Sequence, residues 1–322
     1  MKRLWLVIVL VLASSLVWAN DYPSRQVVMV VAAAAGGPID VLTRIVAERM
    51  SGPLGQAVVV ENMGGGGGIV GGQHVVRAAP DGYTSLLGTV ATHANPQLYG
   101  ANPAYNPQSD FEDVALIAQI PLILIARKDL PANSVEEFVA YAKANPGRLS
   151  YGSAGVGSAS HLGCAMLEHA LGAQFLHVPY RGTGPAMGDL LAGRIDFICD
   201  IAVTAVESIK SGNAKGIANL SSSRSPALPD LPTMAEKGYP AMAASTWAGL
   251  FVPARTPKDA VEKLNAAAVA AMNSPGMAER LSEVGATLAA PDQRSPAYLQ
   301  SFVKSEWDKW GSIIRASGAV PQ

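Results

Sequence analysis

From residue 27 onward, apolar residues come in short β-branched runs that alternate with stretches of helical spacing. Val27–Val31 is the first run and predicts a buried strand. It ends at Gly36-Gly37-Pro38. Val41, Leu42, Ile45, Val46 and Met50 then recur three or four apart, which predicts a helix from Asp40. Ala57–Val60 predicts a second strand, glycines 64–68 a loop, and the residues up to Ala79 a short helix. Pro80-Asp81-Gly82 is a turn signal before a third strand, Thr84–Leu87. Such alternation within about 60 residues implies parallel strands with helices on both faces.

The middle of the chain repeats this theme. Leu122–Ala126 predicts a strand, and Ser134 with Glu137 has the capping-box spacing of a helix start, stopped at Asn145-Pro146-Gly147. Leu149–Gly152, Phe175–Val178 and Ile195–Cys199 predict strands separated by helices over His161–Leu171 and Gly184–Ala192, with a further strand at Lys215–Leu220. A Pro-rich connector, Pro226 to Pro240, sets this half apart. The end is helical: Pro257–Met272, Ala278–Val284, and a stripe of Leu299, Val303, Trp307, Trp310 and Ile314 that reads as core packing. Two α/β units in tandem imply two lobes with a cleft between them.

The N-terminus sets the compartment. Lys2 and Arg3 precede an unbroken apolar run, Leu4–Leu12, and Val17 and Ala19 stand at −3 and −1 of a cleavage site. The apolar run is too short to span a bilayer, so residues 1–19 read as a cleaved secretory signal, with the mature chain starting near Asn20. Cleavage removes two positive charges and no negative one, moving the net charge from −1 to −3. That balance suggests neither nucleic acid nor an anionic membrane as a partner. A mature chain of about 300 residues favours two lobes over one core. Cys164 and Cys199 fall on a predicted helix and a predicted strand, in no CxxC or zinc spacing. Two separate buried thiols are expected rather than a disulfide, although an oxidising compartment would permit one.

Two segments share a layout of strand, Gly- or Ser-rich loop, and helix start: Val27–Val31 with Ala32–Pro38, and Leu149–Gly152 with Ser153–Ser160. Such loops aim unpaired N–H groups, at the positive end of a helix, toward one point where an anion can sit. One loop in each half predicts an anion clamped between lobes. Asp40 at a helix start ordinarily caps it, with a ligand contact as the alternative. Gly66-x-Gly68-x-x-Gly71 matches the dinucleotide fingerprint literally. The helix after it is short, however, and no acidic residue follows about 20 positions on, so no cofactor is expected. There is no GxSxG elbow, and no zinc spacing occurs among His74, His93, His161, His169 and His177. Neither catalytic residues nor a metal are expected, and the chain reads as a binding protein rather than an enzyme.

Several segments resemble a known family. They include Tyr22-Pro23, Val59-Val60-Glu61-Asn62, Ala79-Pro80-Asp81-Gly82-Tyr83 and His93-x-Asn95-Pro96. Ser153-x-Gly155-x-Gly157-Ser158-x-x-His161-Leu162, His177-Val178-Pro179-Tyr180-Arg181-Gly182, Leu228-Pro229-Asp230-Leu231-Pro232-Thr233 and Trp247-x-Gly249-Leu250-Phe251-x-Pro253 follow in order. The chain is similar, over essentially its whole mature length, to the substrate-binding receptors of tripartite tricarboxylate transporters, the Bug-type receptors. The resemblance implies a two-lobed periplasmic binding protein of Venus-flytrap, type II-like α/β fold, each lobe a mixed sheet flanked by helices. It implies lobe 1 over residues 20–121, lobe 2 over 122–228, and a return segment with the C-terminal helices over 229–322. It also implies a periplasmic monomer that takes up a small carboxylate (a di- or tricarboxylate, acidic amino acid or aromatic acid) and presents it to membrane transporter subunits. An extracytoplasmic hydrolase and a ligand-sensing partner of a membrane sensor kinase are the alternatives.

By position, the resemblance places ligand contacts at Ala33, Gly37, Asp40, Thr89 and His93 on the first lobe. On the second it places them at Ser153, Gly155, Gly157, Ser158, His161, Tyr180, Asp200 and Thr204. Asp200 would accept a hydrogen bond from a ligand amine or hydroxyl, or serve as a buried structural carboxylate. His161 equally suits packing at its helix start, and Tyr180 packing of the cleft wall. Where the family carries an aromatic residue this loop reads Ala32-Ala33-Ala34-Ala35. Ile39 replaces a hydroxyl, and Met63 and Gly64 replace Arg and Pro. These departures predict a larger pocket, suited to a bulkier or more apolar carboxylate, including an aromatic one.

Overall fold

The structure, a computed structural model, describes residues 22–317 except 101, 241 and 243, so the predicted signal at 1–19 lies outside the described residues. In the first half, β1 (Val27–Val31) pairs in parallel with β2 (Val58–Asn62) and β3 (Thr84–Gly88). The intervening helices are α1 (Pro38–Leu54) and α2 (Ile69–Val76), and β3 leads into the short α3 (Val90–His93). The second half places β5 (Ser150–Ser153) in parallel with β6 (Leu176–Pro179) and β7 (Phe197–Ile201). Its helices are α4 (Val135–Ala144), α5 (Ala159–Leu171), α6 (Thr183–Leu191) and α7 (Ala202–Lys210). The parallel α/β order expected in each half is present.

The halves are joined by β4 (Phe111–Arg127) and β9 (Ser245–Pro253). β4 pairs with β9 as far as Pro121↔Ser245, and with β7 from Leu122↔Ile201 onward. It therefore crosses from one half-sheet to the other at Pro121–Leu122. The sheet order is β2-β1-β3-β9-β4-β7-β5-β6, with β8 (Ala214–Asn219) and β10 (Thr287–Leu288) also on β4. Only Leu122–Ala126 of β4 is predicted by the sequence pattern, and β9 is not predicted. Both strands are buried on both faces (in β4 only Glu112 and Gln119 are exposed), so the alternation that marks a strand is missing. The chain ends with α8 (Lys258–Met272), α9 (Met277–Glu283) and α10 (Pro296–Ser317). Leu299, Val303, Trp310 and Ile314 are buried as the stripe predicts, whereas Trp307 is half-buried.

Two helix starts differ from expectation. α1 begins at Pro38, behind an N-cap at Gly37, so Asp40 is a first-turn acid and not the cap. Proline suits that first position because its missing N–H has no intrahelical acceptor. Ser134 does cap α4, its Oγ accepting from the Glu137 N–H at 3.2 Å. The Glu137 carboxylate returns to the Asn133 N–H at 2.6 Å, one residue before the capping-box position.

The expectation of separate thiols is also corrected: Cys164 on α5 and Cys199 on β7 form a disulfide, with Cα atoms 5.5 Å apart. The sequence holds no record of that distance, which depends on how α5 lies across the sheet. Gly163 lets it lie close, since a Cβ there would stand 2.6 Å from the Leu122 side chain. Closing a loop of this length stabilises a fold by about 2–4 kcal/mol.

Candidate functional site

The parallel strands of each half end facing the other half, and between them lies a cavity of about 440 Å³. The N-cap residues of six helices line it: Gly37 of α1, Gly68 of α2, Thr89 of α3, Ser158 of α5, Gly182 of α6 and Ile201 of α7. Each strand-to-helix loop of the two parallel units therefore delivers the positive end of a helix to one space. This is where open α/β sheets bind ligands. First-turn N–H groups, such as those of Ile39, Ala159, Ser160, Thr183 and Gly184, have no acceptor within their own helices.

On the first lobe the loop is shaped from behind. The Asp40 carboxylate accepts from the Gly36 N–H (2.8 Å), from Asn62 Nδ2 (2.9 Å) and from Arg44 Nε (3.0 Å). Asn62 Nδ2 also donates to the Ala33 carbonyl at 3.3 Å, so one web holds residues 33–36. Burial opposes ionisation of Asp40, but the bonds from Arg44, Gly36 and Asn62 outweigh it and hold its carboxyl below the usual range. The glycine loop is held separately. Asn95 Nδ2 donates to the carbonyls of Gly66 (3.0 Å) and Gly67 (2.9 Å), fixing a loop whose backbone adopts positive φ from Gly65 to Gly68.

On the second lobe the loop is held by neutral groups. Ser153 Oγ accepts from the Gly155 N–H (3.1 Å) and contacts His177 Nε2 (2.6 Å). Ser160 Oγ accepts from the Ala154 N–H at 3.0 Å. Ser158 Oγ donates to the Gly155 carbonyl (2.6 Å) and accepts from the His161 N–H (3.3 Å), capping α5. His161 Nδ1 accepts from the Gly157 N–H (3.1 Å), and its ring stacks on His177 at 4.3 Å. Burial, with the neighbouring His177, pushes His161 down to about 4, and burial alone takes His177 to about 4, so both rings are neutral near pH 7.

The two loops meet. A Cβ on Gly67 would overlap the Val156 carbonyl oxygen, and one on Gly157 would overlap the Asn95 amide. The lobes are thus closed on each other, and the glycines permit this backbone-to-backbone approach.

Of the residues singled out from the sequence, Ala33, Gly37, Thr89, Gly155, Ser158 and Tyr180 line the cavity. Gly157 and Ser153 lie just behind the wall. His161 packs and braces the start of α5, and Asp40 shapes the first loop from outside. His93 sits in the core among Phe111, Trp247 and Phe251, its Nδ1 bonded to Thr92 Oγ1 at 2.8 Å and its Nε2 unpaired. Burial pushes its imidazole down to about 3. Asp200 is fully buried; Thr204 Oγ1 donates to its Oδ2 at 2.5 Å, and burial pushes the carboxyl up to about 7. Neither Asp200 nor Thr204 is on the wall; the neighbouring Ile201 is.

Sequence reasoning missed the start of α6 (Gly182, Thr183, Gly184), the wall formed by glycines 64–68, and Thr246 of β9. Gly182-x-Gly184-Pro185, soon after the predicted strand Phe175–Val178, carries the same strand, glycine loop and helix-start signal as the other two loops. Among the described residues, Arg181 is the sole charged residue on the wall, and it is exposed. Most of the rest is apolar: Ala32–Ala35, Leu87, Val156, Pro185 and Ile201. Among the described residues, no cluster of three or more His, Cys, Asp or Glu is placed to hold a metal ion.

Residues 42–319 match the family described as "Tripartite tricarboxylate transporter family receptor". A protein of Agrobacterium vitis, encoded in the TAR-I ttuE-ttuC' intergenic region, is 40% identical, over 96% of this chain and 90% of its own. The structure of the periplasmic binding protein BugD superposes with a TM-score of 0.88 at 41% identity, covering 94% of this chain and all of BugD. MatC from Rhodopseudomonas palustris with bound malate superposes with a TM-score of 0.87 at 38% identity, covering 91% of this chain and 100% of MatC. With its two α/β lobes closed over a shared cavity, the chain belongs to the receptor family of the tripartite tricarboxylate transporters.

Proposed function

We propose that this protein is a periplasmic receptor that captures a small carboxylate between its lobes and hands it to membrane transporter subunits. The observation that carries this reading is the convergence of six helix N-caps on one cavity with, among the described residues, no acidic side chain on its wall. Helix N-termini hold an anion through backbone N–H groups and dipole ends without a cationic side chain. Lobe closure excludes water and strengthens those interactions. The candidate contacts are Ala33, Gly37, Thr89, Gly155, Ser158 and Tyr180, joined by the α6 start. Asp40, Ser153 and His161 position the loops, and His93, Asp200 and Thr204 stabilise the lobes behind them. MatC with bound malate supports the carboxylate class, and the Cys164–Cys199 disulfide suits an oxidising compartment entered through the signal at residues 1–19. The apolar wall suits a carboxylate with an apolar body, aromatic acids included.

The reading is of a receptor and not an enzyme. Ser158 is occupied as a helix cap, and the Ser153–His177 pair lies behind the cavity wall with Ser153 fully buried. A thermal-shift titration of the mature protein with malate, adipate, citrate and benzoate, each beside its carboxamide, tests the proposal. At least one acid should raise Tm by several degrees, because a ligand at 100 times its Kd adds about 2.7 kcal/mol to stability. Carboxamides that act as well as the acids, or no shift with any acid, would sink it.

A further inference from the structure

Thr246 lies on β9, opposite Ile120 of β4, next to the Pro121–Leu122 step where the sheet passes from one lobe to the other. It is 1% exposed, it lines the cavity, and among the described residues its Oγ1 has no hydrogen-bond partner. Along β9 its neighbour Trp247 points the other way, donating its indole N–H to Glu306 of α10 at 3.1 Å. Strand alternation then turns Thr246 toward the cavity. A buried hydroxyl is ordinarily paired, and leaving it unpaired is costly. An apolar β-branched residue would fit the same strand position without that cost.

We propose that Thr246 is a specificity-determining residue whose hydroxyl is completed by a hydroxyl or oxo group on the body of the bound carboxylate. This rests on the carboxylate reading and narrows it to oxygen-substituted acids. The helix N-termini hold the carboxylate, and Thr246 reads a second oxygen deep in the cavity. Because Thr246 sits on a strand that joins the lobes, satisfying its hydroxyl also ties occupancy to the closed arrangement.

The test is calorimetric binding of matched acids, malate against succinate and 4-hydroxybenzoate against benzoate, to the wild-type protein, Thr246→Val and Thr246→Ser. The wild-type protein should favour the oxygenated member of at least one pair by about tenfold, and Thr246→Val should remove that preference by weakening the oxygenated acid more than the plain one. Thr246→Ser should retain it within about threefold. Unliganded Thr246→Val should melt about 2 °C higher than wild type, because the unpaired hydroxyl is gone. A gain in stability beside a loss of discrimination is not what a purely structural threonine would produce. Wild-type binding of acids with Thr246→Val indistinguishable from it in every pair overturns this proposal alone. No binding of any acid by the wild-type protein overturns the carboxylate reading and this proposal with it.

Discussion

The two loops that face each other across the cavity perform one task with different chemistry. On the first lobe, alanines and glycines form the wall, and a charged web behind it (Asp40, Arg44, Asn62) sets the backbone. On the second, the loop braces itself with neutral hydroxyl and imidazole groups from Ser153, Ser158, Ser160, His161 and His177. Both leave helix N–H groups free toward the cavity. A bare loop cannot hold its own shape, so its supports lie outside it. A serine-rich loop carries its supports within, where they occupy part of its own backbone. The difference shows that a polar residue beside the cavity can be scaffolding rather than contact.

The largest expected effect comes from forcing the loops apart. Gly67→Ala adds a Cβ that collides with the Val156 carbonyl of the other lobe, at φ +60 where a side chain is also strained. Calorimetry should show carboxylate affinity falling at least about a hundredfold while the unliganded protein stays folded, because lobe closure and not lobe stability is blocked. Unchanged affinity would mean that the closed contact is not part of binding.

Removing each loop's support comes next. Asp40→Ala frees the Gly36 N–H and Asn62 together and should cost about tenfold in affinity, whereas Ser158→Ala, which removes the cap bond from the His161 N–H and the bond to the Gly155 carbonyl but leaves the supports from Ser153, Ser160 and His161, should cost about threefold. Equal losses, or a larger one at Ser158, would reverse the view of which loop depends on a single residue.

The smallest effect separates the supports by pH. His161 and His177 are held near 4, below the ordinary 6.5. Between about pH 6.5 and 4 the unfolded chain therefore binds protons that the folded chain does not. Their contribution to stability is full above 6.5 and is lost as pH falls through that window. Asp40, held below the usual carboxylate range, contributes fully above that range and loses its contribution as the pH falls from there through its lowered pKa. Asp200 acts in the opposite sense: with its carboxyl raised to about 7, its contribution is lost as pH rises from about 4 to 7. His177→Gln should flatten the fall of Tm between pH 6.5 and 4 by a few degrees. A slope identical to wild type would contradict a neutral histidine brace in the second loop.

The sequence by itself determined the parts that local chemistry dictates. Apolar runs, glycine loops and helix starts follow from backbone sterics and from periodicities of two and 3.6, so the two parallel units and the two loops that line the cavity were legible. The tandem α/β units and the chain length implied two lobes, and the family motifs spread along the chain agreed. Tertiary structure decided the rest. β4 and β9 are buried on both faces and leave no alternation to read. The Cys164–Cys199 bond depends on how close Gly163 lets α5 approach the sheet. Which polar side chains face the cavity was likewise undecided, because Asp40, His161 and Asp200 have the chemistry of ligand contacts and Thr246 looks like an ordinary strand residue. Identity states what a side chain can bond. Only packing states what it finds there, and it left Asp40 and His161 bonded to protein and the Thr246 hydroxyl buried without a partner among the described residues.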